Sequence, residues 1–222
     1  MMRTLPHAVI FDMDGLMLDT EPLAARAWSE AANELGLAFD DSICAHLIGR
    51  NFADCRVLIR ERHGESYPID ALMRRWHATY DAIVAREGIE LKTGLLELLD
   101  WLEARRIPKA VATSTRRSRA IAKLVHTSLL ERFATLVGGD EVVNGKPEPD
   151  IFLEAAARIH AAPEACVVLE DSMPGVRAAL AGGMATIMVP DLPSPPDAPL
   201  PDTVMVMPSL HEVRRHFAAL AA

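Results

Sequence analysis

Several features that mark specialised protein classes are scarce in this sequence. Its 222 residues include only three cysteines, Cys44, Cys55 and Cys166. They lie far apart and form no C-x-x-C motif, so neither a disulfide framework nor a zinc site is supported. No apolar run approaches the roughly 20 residues that a bilayer-spanning helix needs, and the N-terminal segment shows no cleavable signal pattern. We therefore expect reduced thiols in a soluble, cytoplasmic protein.

Positive charge is also in the minority. Lysine and arginine number 23 against 31 aspartates and glutamates, which gives a formal net charge of -8. Because an acidic surface repels the phosphates of nucleic acids and anionic membranes, we expect neither as a partner. Hydrophobic residues make up 50% of the chain, which is enough to bury a core. The expected partner is a small molecule, and an anionic one would need a local cluster of positive charge.

Six short segments are predicted to be strands, and helical patterns lie between the later ones. Most of these segments are continuous apolar runs, which is typical of strands that helices cover on both faces. The repeated strand-helix-strand order predicts the α/β class, with a doubly wound parallel sheet and right-handed crossovers. The predicted strands are residues 7–12, 109–113, 135–138, 166–171, 185–189 and 203–207. The predicted helices of this part are residues 94–106, 116–125, 149–160, 174–180 and 210–220.

One long interval interrupts this alternation. Between the first and second predicted strands, apolar residues recur at helical spacing, in segments separated by glycine or proline. The predicted helices there are residues 21–35, 41–47, 52–63 and 69–86. We therefore expect a Rossmann-like core of residues 1–18 and 90–222 with an inserted helical cap of residues 19–89. The proline-rich stretch 190–208 is predicted to be a surface loop around the last edge strand.

Acidic residues follow the first predicted strand, at a position where parallel sheets commonly bind ligands. Asp12 and Asp14 stand at i and i+2, so both carboxylates fall on one side if the backbone stays extended, and Gly15 permits a tight turn. Two like charges this close are costly unless a cation lies between them or one carries a proton. Alone, this pattern is more often an ordinary solvated turn.

The second strand ends in a cluster of hydroxyl groups. Thr113, Ser114 and Thr115 are followed by Arg116 at the predicted start of a helix. Backbone amides at a helix N-terminus together with a hydroxyl group form a cradle for phosphate. Ser114 or Thr115 could equally cap the helix, and the two roles are compatible.

Two further strand ends supply a lysine and a second acidic pair. Pro147 biases Lys146 away from helical geometry, so this lysine is expected on an extended loop after the third strand. Glu170 and Asp171 follow the wholly apolar fourth strand. Each feature has a commonplace explanation by itself, but four unrelated caps would not explain their combination. Carboxylates suit Mg²⁺, and lysine with hydroxyl groups suits a phosphoryl group.

The order and spacing of these motifs resemble the haloacid dehalogenase-like superfamily of Asp-nucleophile phosphotransferases, in the branch with a helical cap after the first motif. The residues that carry the resemblance are Asp12, Asp14, Gly15, Leu18, Asp19, Thr20, Glu21, Thr113, Gly145, Lys146, Pro147, Glu170, Asp171, Ser172, Gly175 and residues 181–184. The resemblance implies that Asp12 attacks phosphorus and that Asp14 is the general acid and base. It also implies that Thr113 and Lys146 hold the phosphoryl group; Ser114, from the hydroxyl cluster described above, is a further candidate for phosphate binding.

The same resemblance implies a Mg²⁺ cofactor. Its expected ligands are Asp12, Glu170 and Asp171, with Asp14 contributing its backbone carbonyl. Asp14 also bears on the reaction, because dehalogenases and phosphonatases of this fold lack the second aspartate. Its presence favours phosphate esters as substrates.

Three functions follow from the resemblance. The first is a phosphatase that hydrolyses a small phosphorylated metabolite, such as a sugar phosphate, through an aspartyl-phosphate intermediate. The second is a phosphomutase, since β-phosphoglucomutases are similar over the whole chain. They carry a histidine one turn beyond the Asp-Thr pair, where this chain has Ala24, and this favours hydrolysis. The third, an inactive binding or regulatory protein, is disfavoured because every acidic and lysine position is present.

Substrate identity is less visible in the sequence. Arg50 lies in a cap loop that faces the site in similar proteins, so it could reach a hydroxyl, a carboxylate or a second phosphate. Arg116 and Thr115 resemble residues that hold the distal group in the mutases. Both arginines could equally be solvated surface residues. We expect a monomer or a small homo-oligomer.

Overall fold

A single parallel sheet forms the centre of the molecule in the computed structural model, which describes residues 4–47, 52–191 and 200–221, with Ala45, Phe52 and Ala53 as backbone only. Within these residues the sheet has six strands in the order β3-β2-β1-β4-β5-β6, and every neighbouring pair is parallel. The strands are β1 (Ala8–Phe11), β2 (Lys109–Thr113), β3 (Thr135–Gly138), β4 (Cys166–Glu170), β5 (Ala185–Met188) and β6 (Met205–Val206). The predicted doubly wound parallel α/β fold is confirmed.

Helices surround this sheet and fill the interval between β1 and β2. The helices are α1 (Glu21–Glu34), α2 (Cys44–Leu47), α3 (Phe52–His63), α4 (Ile69–Glu87), α5 (Leu95–Ala104), α6 (Arg117–His126), α7 (Asp150–Arg158), α8 (Met173–Ala181) and α9 (Leu210–Leu220). Short 3-10 turns occupy Asp41–Ile43, Leu130–Arg132 and Pro163–Ala165. In the described part of the chain, none of these helices is both long enough and apolar enough to cross a membrane.

The apolar strands have side chains on both faces of the sheet because successive residues of a strand point in opposite directions. Val9 and Phe11 of β1 join a cluster with α5, α6 and α9. Ala8 and Ile10 join a second cluster with α7 and α8. All four side chains are buried, so β1 lies at the centre of the core and anchors the residues that follow it.

The helices between β1 and β2 pack around a hydrophobic cluster of their own. Its members come from residues 27–83. Trp28 of α1 lies 5.1 Å from Trp76 of α4 between ring centroids, and Trp76 stacks on Tyr80 at 5.0 Å. These helices form the cap, which has its own apolar centre. The residue limits given above for the two domains stay a prediction.

Two linkers join the cap to the core side by side. Leu18 in the first linker and Leu91 in the second form an antiparallel bridge. The amide of Asp19 donates to the carbonyl of Glu90 at 2.9 Å. The amide of Lys92 donates to the carbonyl of Met17, also at 2.9 Å. The two crossings therefore pair through backbone hydrogen bonds.

Strand ends differ slightly from the sequence prediction. Asp12 and Asp171, which we placed in strands, lie one residue beyond β1 and β4. The Asp12 amide nevertheless donates to the carbonyl of Leu169 at 3.0 Å, so the backbone stays extended there. The last strand is shorter than predicted, and residues 192–199 of the proline-rich stretch lie outside the described residues.

Leu98 on α5 provides a test of the core assignment. Its side chain is 0% exposed, whereas Leu96 on the same helix is 44% exposed. We expect Leu98→Ala to lower the free energy of unfolding by about 2–5 kcal/mol, because it removes buried methyl groups and leaves a cavity. Leu96→Ala, the matched control, should change it by less than about 0.5 kcal/mol. Urea denaturation measures both, and equal effects would contradict the assignment.

Candidate active site

The carboxyl ends of three strands meet at one edge of the sheet. Asp12 follows β1, Thr113 ends β2 and Glu170 ends β4. The chain winds outward from β1 through β2 to β3, while β4 lies on the other side of β1. The break between β1 and β4 is the switch point at which open parallel sheets form a binding crevice. The predicted site residues thus come together where the fold favours a ligand.

A buried lysine links two of these strand ends. Lys146, from the loop after β3, has a side chain only 2% exposed. Its ammonium donates to Oε1 of Glu170 at 2.6 Å and to Oδ1 of Asp12. Burial lowers the pKa of Lys146, but the charges of Asp12 and Glu170 outweigh this effect and raise it. Lys146 is therefore a fixed cation between two buried carboxylates.

The other oxygen of Glu170 is held by the turn that begins α8. Oε2 accepts the backbone amides of Asp171 at 2.9 Å and Ser172 at 2.8 Å, and the Ser172 hydroxyl at 2.9 Å. The helix approaches so closely that a Cβ on Gly175 would lie 1.7 Å from Oε1 of Glu170. Glycine at this position is what allows the helix to begin against the carboxylate.

Three carboxylates form a group that could hold a metal ion. Asp12, Glu170 and Asp171 each offer an oxygen, and these atoms lie within 4.8 Å of one another. Oδ2 of Asp171 is buried without a hydrogen-bond partner. Burial raises the pKa of Asp12 to about 7, although Lys146 opposes this, and burial with the charge of Glu170 raises the pKa of Asp171. The oxygen donors and the excess negative charge fit a hard divalent cation such as Mg²⁺.

Asp14 occupies a different environment from Asp12. Its Oδ1 accepts from the Thr20 hydroxyl at 2.8 Å and from Nζ of Lys123 at 2.5 Å, and its Oδ2 accepts from the Thr115 hydroxyl at 2.7 Å. Burial raises the pKa of Asp14, but Lys123 and the two hydroxyl groups lower it by a larger amount, so the net shift is downward. The carboxylate is thus engaged away from the metal group, and only the backbone carbonyl is left for the predicted metal contact.

The remaining predicted binding residues differ in how far the structure describes them. Thr113 is buried, and its hydroxyl accepts the amide of Thr115 at 3.1 Å, so the turn after β2 is ordered around it. Ser114 is half-buried in that turn. Arg116 is exposed at the start of α6, and its charge contributes to the lowered pKa of the cap residue His77, which burial lowers most. Arg50 lies outside the described residues.

Sequence reasoning missed the residues that surround Asp14. Thr20 belongs to the motif quoted above without an assigned role. Thr115 is predicted from the sequence as part of the hydroxyl cluster, as a helix cap or as a residue that holds a distal group, but not as a partner of Asp14. Lys123 was not considered. Nothing local marks it, since its contact with Asp14 joins residues 109 positions apart. Glu21 belongs to the same motif as Thr20 and also had no assigned role; burial with the charge of Asp14 raises its pKa to about 8.

Comparison with known proteins identifies the family. Residues 9–189 match the family described as haloacid dehalogenase-like hydrolase. The chain belongs to this family. The hydrolase is 33% identical over 181 residues to the phosphorylated carbohydrates phosphatase of Thermotoga maritima, covering 82% of this chain and 83% of the relative. It is 33% identical over 209 residues to hexitol phosphatase A of Escherichia coli, covering 92% of this chain and 91% of that relative.

Solved structures agree with this membership. A crystal structure of a putative beta-phosphoglucomutase from Thermotoga maritima superimposes with a TM-score of 0.74 at 28% identity, covering 96% of this hydrolase and 98% of that chain. The resemblance to the helical-cap branch of the family is therefore confirmed. Phosphomonoester hydrolysis by this enzyme is supported by the two curated relatives, since each is named a phosphatase.

Removal of the buried lysine tests the charge balance of the site. Lys146→Met leaves Asp12 and Glu170 buried without their cation, so we expect the free energy of unfolding to fall by about 3–5 kcal/mol at pH 8. The deficit should shrink as the pH is lowered towards 5. Without Lys146 the folded-state pKa of Asp12 rises further above its unfolded value of 3.8, and protonation in that window favours the folded state.

Lys109→Met is the matched control for this experiment. Lys109 is also buried and pairs with Glu103 at 3.1 Å, but Glu103 is 41% exposed and can be rehydrated. We expect a loss below about 1 kcal/mol with little dependence on pH. Urea denaturation at the two pH values measures both variants, and a pH-independent loss for Lys146→Met would contradict the charge assignment.

Proposed function

We propose that the enzyme is a Mg²⁺-dependent phosphatase that hydrolyses a small phosphorylated metabolite, such as a sugar phosphate, through an aspartyl phosphate on Asp12. The observation that carries the proposal is the contrast between two carboxylates that are two residues apart. Asp12 lies against Lys146 in the metal group, whereas Asp14 is held by separate donors. The relatives named for phosphorylated carbohydrates and hexitols support a polyhydroxylated substrate.

Bound Mg²⁺ would be held by Asp12, Asp171 and Glu170 with the Asp14 carbonyl, and would offset the charge of the phosphoryl group and of the attacking carboxylate. The unpartnered Oδ2 of Asp171 supports this assignment. Lys146 supplies a permanent positive charge from within the protein at the same place. Together they reduce the repulsion between an anionic nucleophile and an anionic substrate.

In the first step, a carboxylate oxygen of Asp12 forms a bond to phosphorus. The bond between phosphorus and the leaving oxygen breaks, and Asp14 gives its proton to that oxygen, so the products are an alcohol and the aspartyl phosphate. Thr113 lies at the carboxyl end of β2, and its hydroxyl group would hold a phosphoryl oxygen. Asp14 is left as an anion.

In the second step, Asp14 accepts a proton from water. The water oxygen attacks phosphorus, the bond between phosphorus and Asp12 breaks, and inorganic phosphate is released. Asp14 is then protonated and Asp12 is free, so the enzyme returns to its starting state. The cap contributes by limiting access of water during the first step, and Arg119 on α6 pairs with Asp81 on α4 where the cap meets the core.

A phosphomutase is the second candidate function, and the likeness to a putative beta-phosphoglucomutase structure favours it. A mutase has to retain the phosphoryl group and return it to a different hydroxyl of the substrate. At the position where the mutases have a histidine, Ala24 has no polar side chain, and its carbonyl accepts the Trp76 indole N–H at 3.1 Å. We therefore propose hydrolysis rather than transfer.

Asp12→Asn tests the nucleophile. We expect Mg²⁺-dependent phosphate release from 4-nitrophenyl phosphate to fall by roughly 10³-fold or more, because an amide cannot form the intermediate. Asp100→Asn, at a side chain 71% exposed, is the control and should match the wild type. Both variants should keep the wild-type circular dichroism spectrum. Normal turnover by Asp12→Asn would refute the mechanism, and a wild-type protein without activity on a panel of phosphate esters would refute the enzyme assignment.

Phosphorus NMR with a hexose 1-phosphate separates the two candidate functions. We expect the signal of free phosphate to grow as the substrate signal declines, because water is the acceptor in the second step. Omission of Mg²⁺, or addition of a chelator, should stop the change. A new sugar-phosphate signal in place of free phosphate would establish the mutase instead.

A further inference from the structure

The core helix α6 presents two cationic side chains to the cap, one turn apart. Arg119 pairs with Asp81 of α4, and Nζ of Lys123 lies 5.2 Å from the ring centroid of Tyr80, which precedes Asp81 in the same helix. Tyr80 is buried. Its ring therefore lies over Lys123, in an arrangement that attracts a cation and keeps water away from it.

From this covered position Lys123 reaches the proposed acid and base. Its ammonium lies 2.5 Å from Oδ1 of Asp14, and the two side chains are only 13% and 20% exposed. Burying an ammonium ion is costly unless it is paired, and the contact with Asp14 offsets that cost for Lys123. Lys146 has the corresponding relation to Asp12.

The three contacts of Asp14 leave little freedom for its carboxylate. An ionised carboxylate offers about four lone-pair positions. Thr20 and Lys123 occupy two on Oδ1, and Thr115 occupies one on Oδ2. A single position is therefore left, on Oδ2, for the leaving oxygen or the attacking water. The donors come from a linker, a loop and a helix, which fixes the carboxylate from three directions.

We propose that Lys123 is a positioning residue for both proton transfers, holding the Asp14 carboxylate so that its one open oxygen position faces the reacting group. The inference rests on the proposed phosphatase function. Lys123 acts through Asp14 and does not touch the substrate.

The second step depends on this contact more than the first when the leaving group is good. A 4-nitrophenolate leaves without help from a general acid, so the aspartyl phosphate still forms when Asp14 is poorly placed. Its hydrolysis still needs Asp14 to accept a proton from water. Loss of Lys123 should therefore make the intermediate accumulate with this substrate, while an alkyl phosphate should be slowed already in the first step.

Stopped-flow absorbance with 4-nitrophenyl phosphate tests the proposal. Lys123→Met removes the ammonium group and retains most of the side-chain length, and Lys123→Arg keeps a charged donor. We expect Lys123→Met to show a burst of about one nitrophenolate per enzyme followed by a steady rate reduced roughly 10- to 100-fold, with KM not increased. Lys123→Arg should recover much of the steady rate. Lys109→Met, a buried lysine paired elsewhere, should behave as the wild type.

Three results would overturn the proposal. They are an unchanged steady rate without a burst, a raised KM with unchanged kcat, and an equal loss of rate for Lys109→Met. If circular dichroism shows that Lys123→Met does not fold, Lys123→Gln and Lys123→Arg test the proposal instead. A burst shown by Lys123→Gln and absent from Lys123→Arg would support the proposal, and identical behaviour of the two variants would contradict it. Failure of the proposed function is distinguishable, because the wild type would then release no phosphate.

Discussion

Burial of negative charge at the ends of β1 and β4 is the constraint on which the rest of the site depends. Asp12, Glu170 and Asp171 bring three carboxylates into one pocket, and Lys146 supplies one compensating charge. The fold reaches this concentration because neighbouring parallel strands end at the same edge. Burial, together with the charges of neighbouring carboxylates, raises the pKa of Asp12 and Asp171. The excess negative charge explains why a divalent cation suits this place.

The turn that follows Asp14 gives the two aspartates of the motif different surroundings. Gly15 has a φ of +81°, and a Cβ there would lie 2.2 Å from Oδ2 of Asp171. This conformation, which favours glycine, lets the chain pass close to the acidic group. The Asp14 side chain is then engaged by Thr115 and Lys123 rather than by the metal group. The two aspartates of the motif thereby acquire opposite shifts in pKa: burial raises that of Asp12, whereas Lys123 and the two hydroxyl groups lower that of Asp14.

The sequence predicted the parts of the molecule that depend on local pattern. Continuous apolar runs identified the strands, and the tendency of parallel strands to end at one edge correctly predicted that Asp12, Thr113 and Glu170 come together. The contact of Lys123 with Asp14 could not be predicted, because it depends on which side of α6 faces the crevice. Helix periodicity does not show which residue of another element a polar side chain will contact. The exact ends of β1 at Phe11 and of β4 at Glu170 were not predicted either, since the next residue can continue in extended geometry without belonging to the strand.

The paired linkers determine how the cap can swing. Leu18 and Leu91 bridge the two crossings, and Thr20, which holds Asp14, lies two residues beyond Leu18. Two crossings that are joined by backbone hydrogen bonds resist twisting of the cap against the core, so rotation about the line through the paired linkers is the least hindered motion. Thr20 lies next to the paired linkers, so a rotation of the cap about them would displace its hydroxyl group less than it would displace the outer helices of the cap, and its hydrogen bond to Asp14 would be kept.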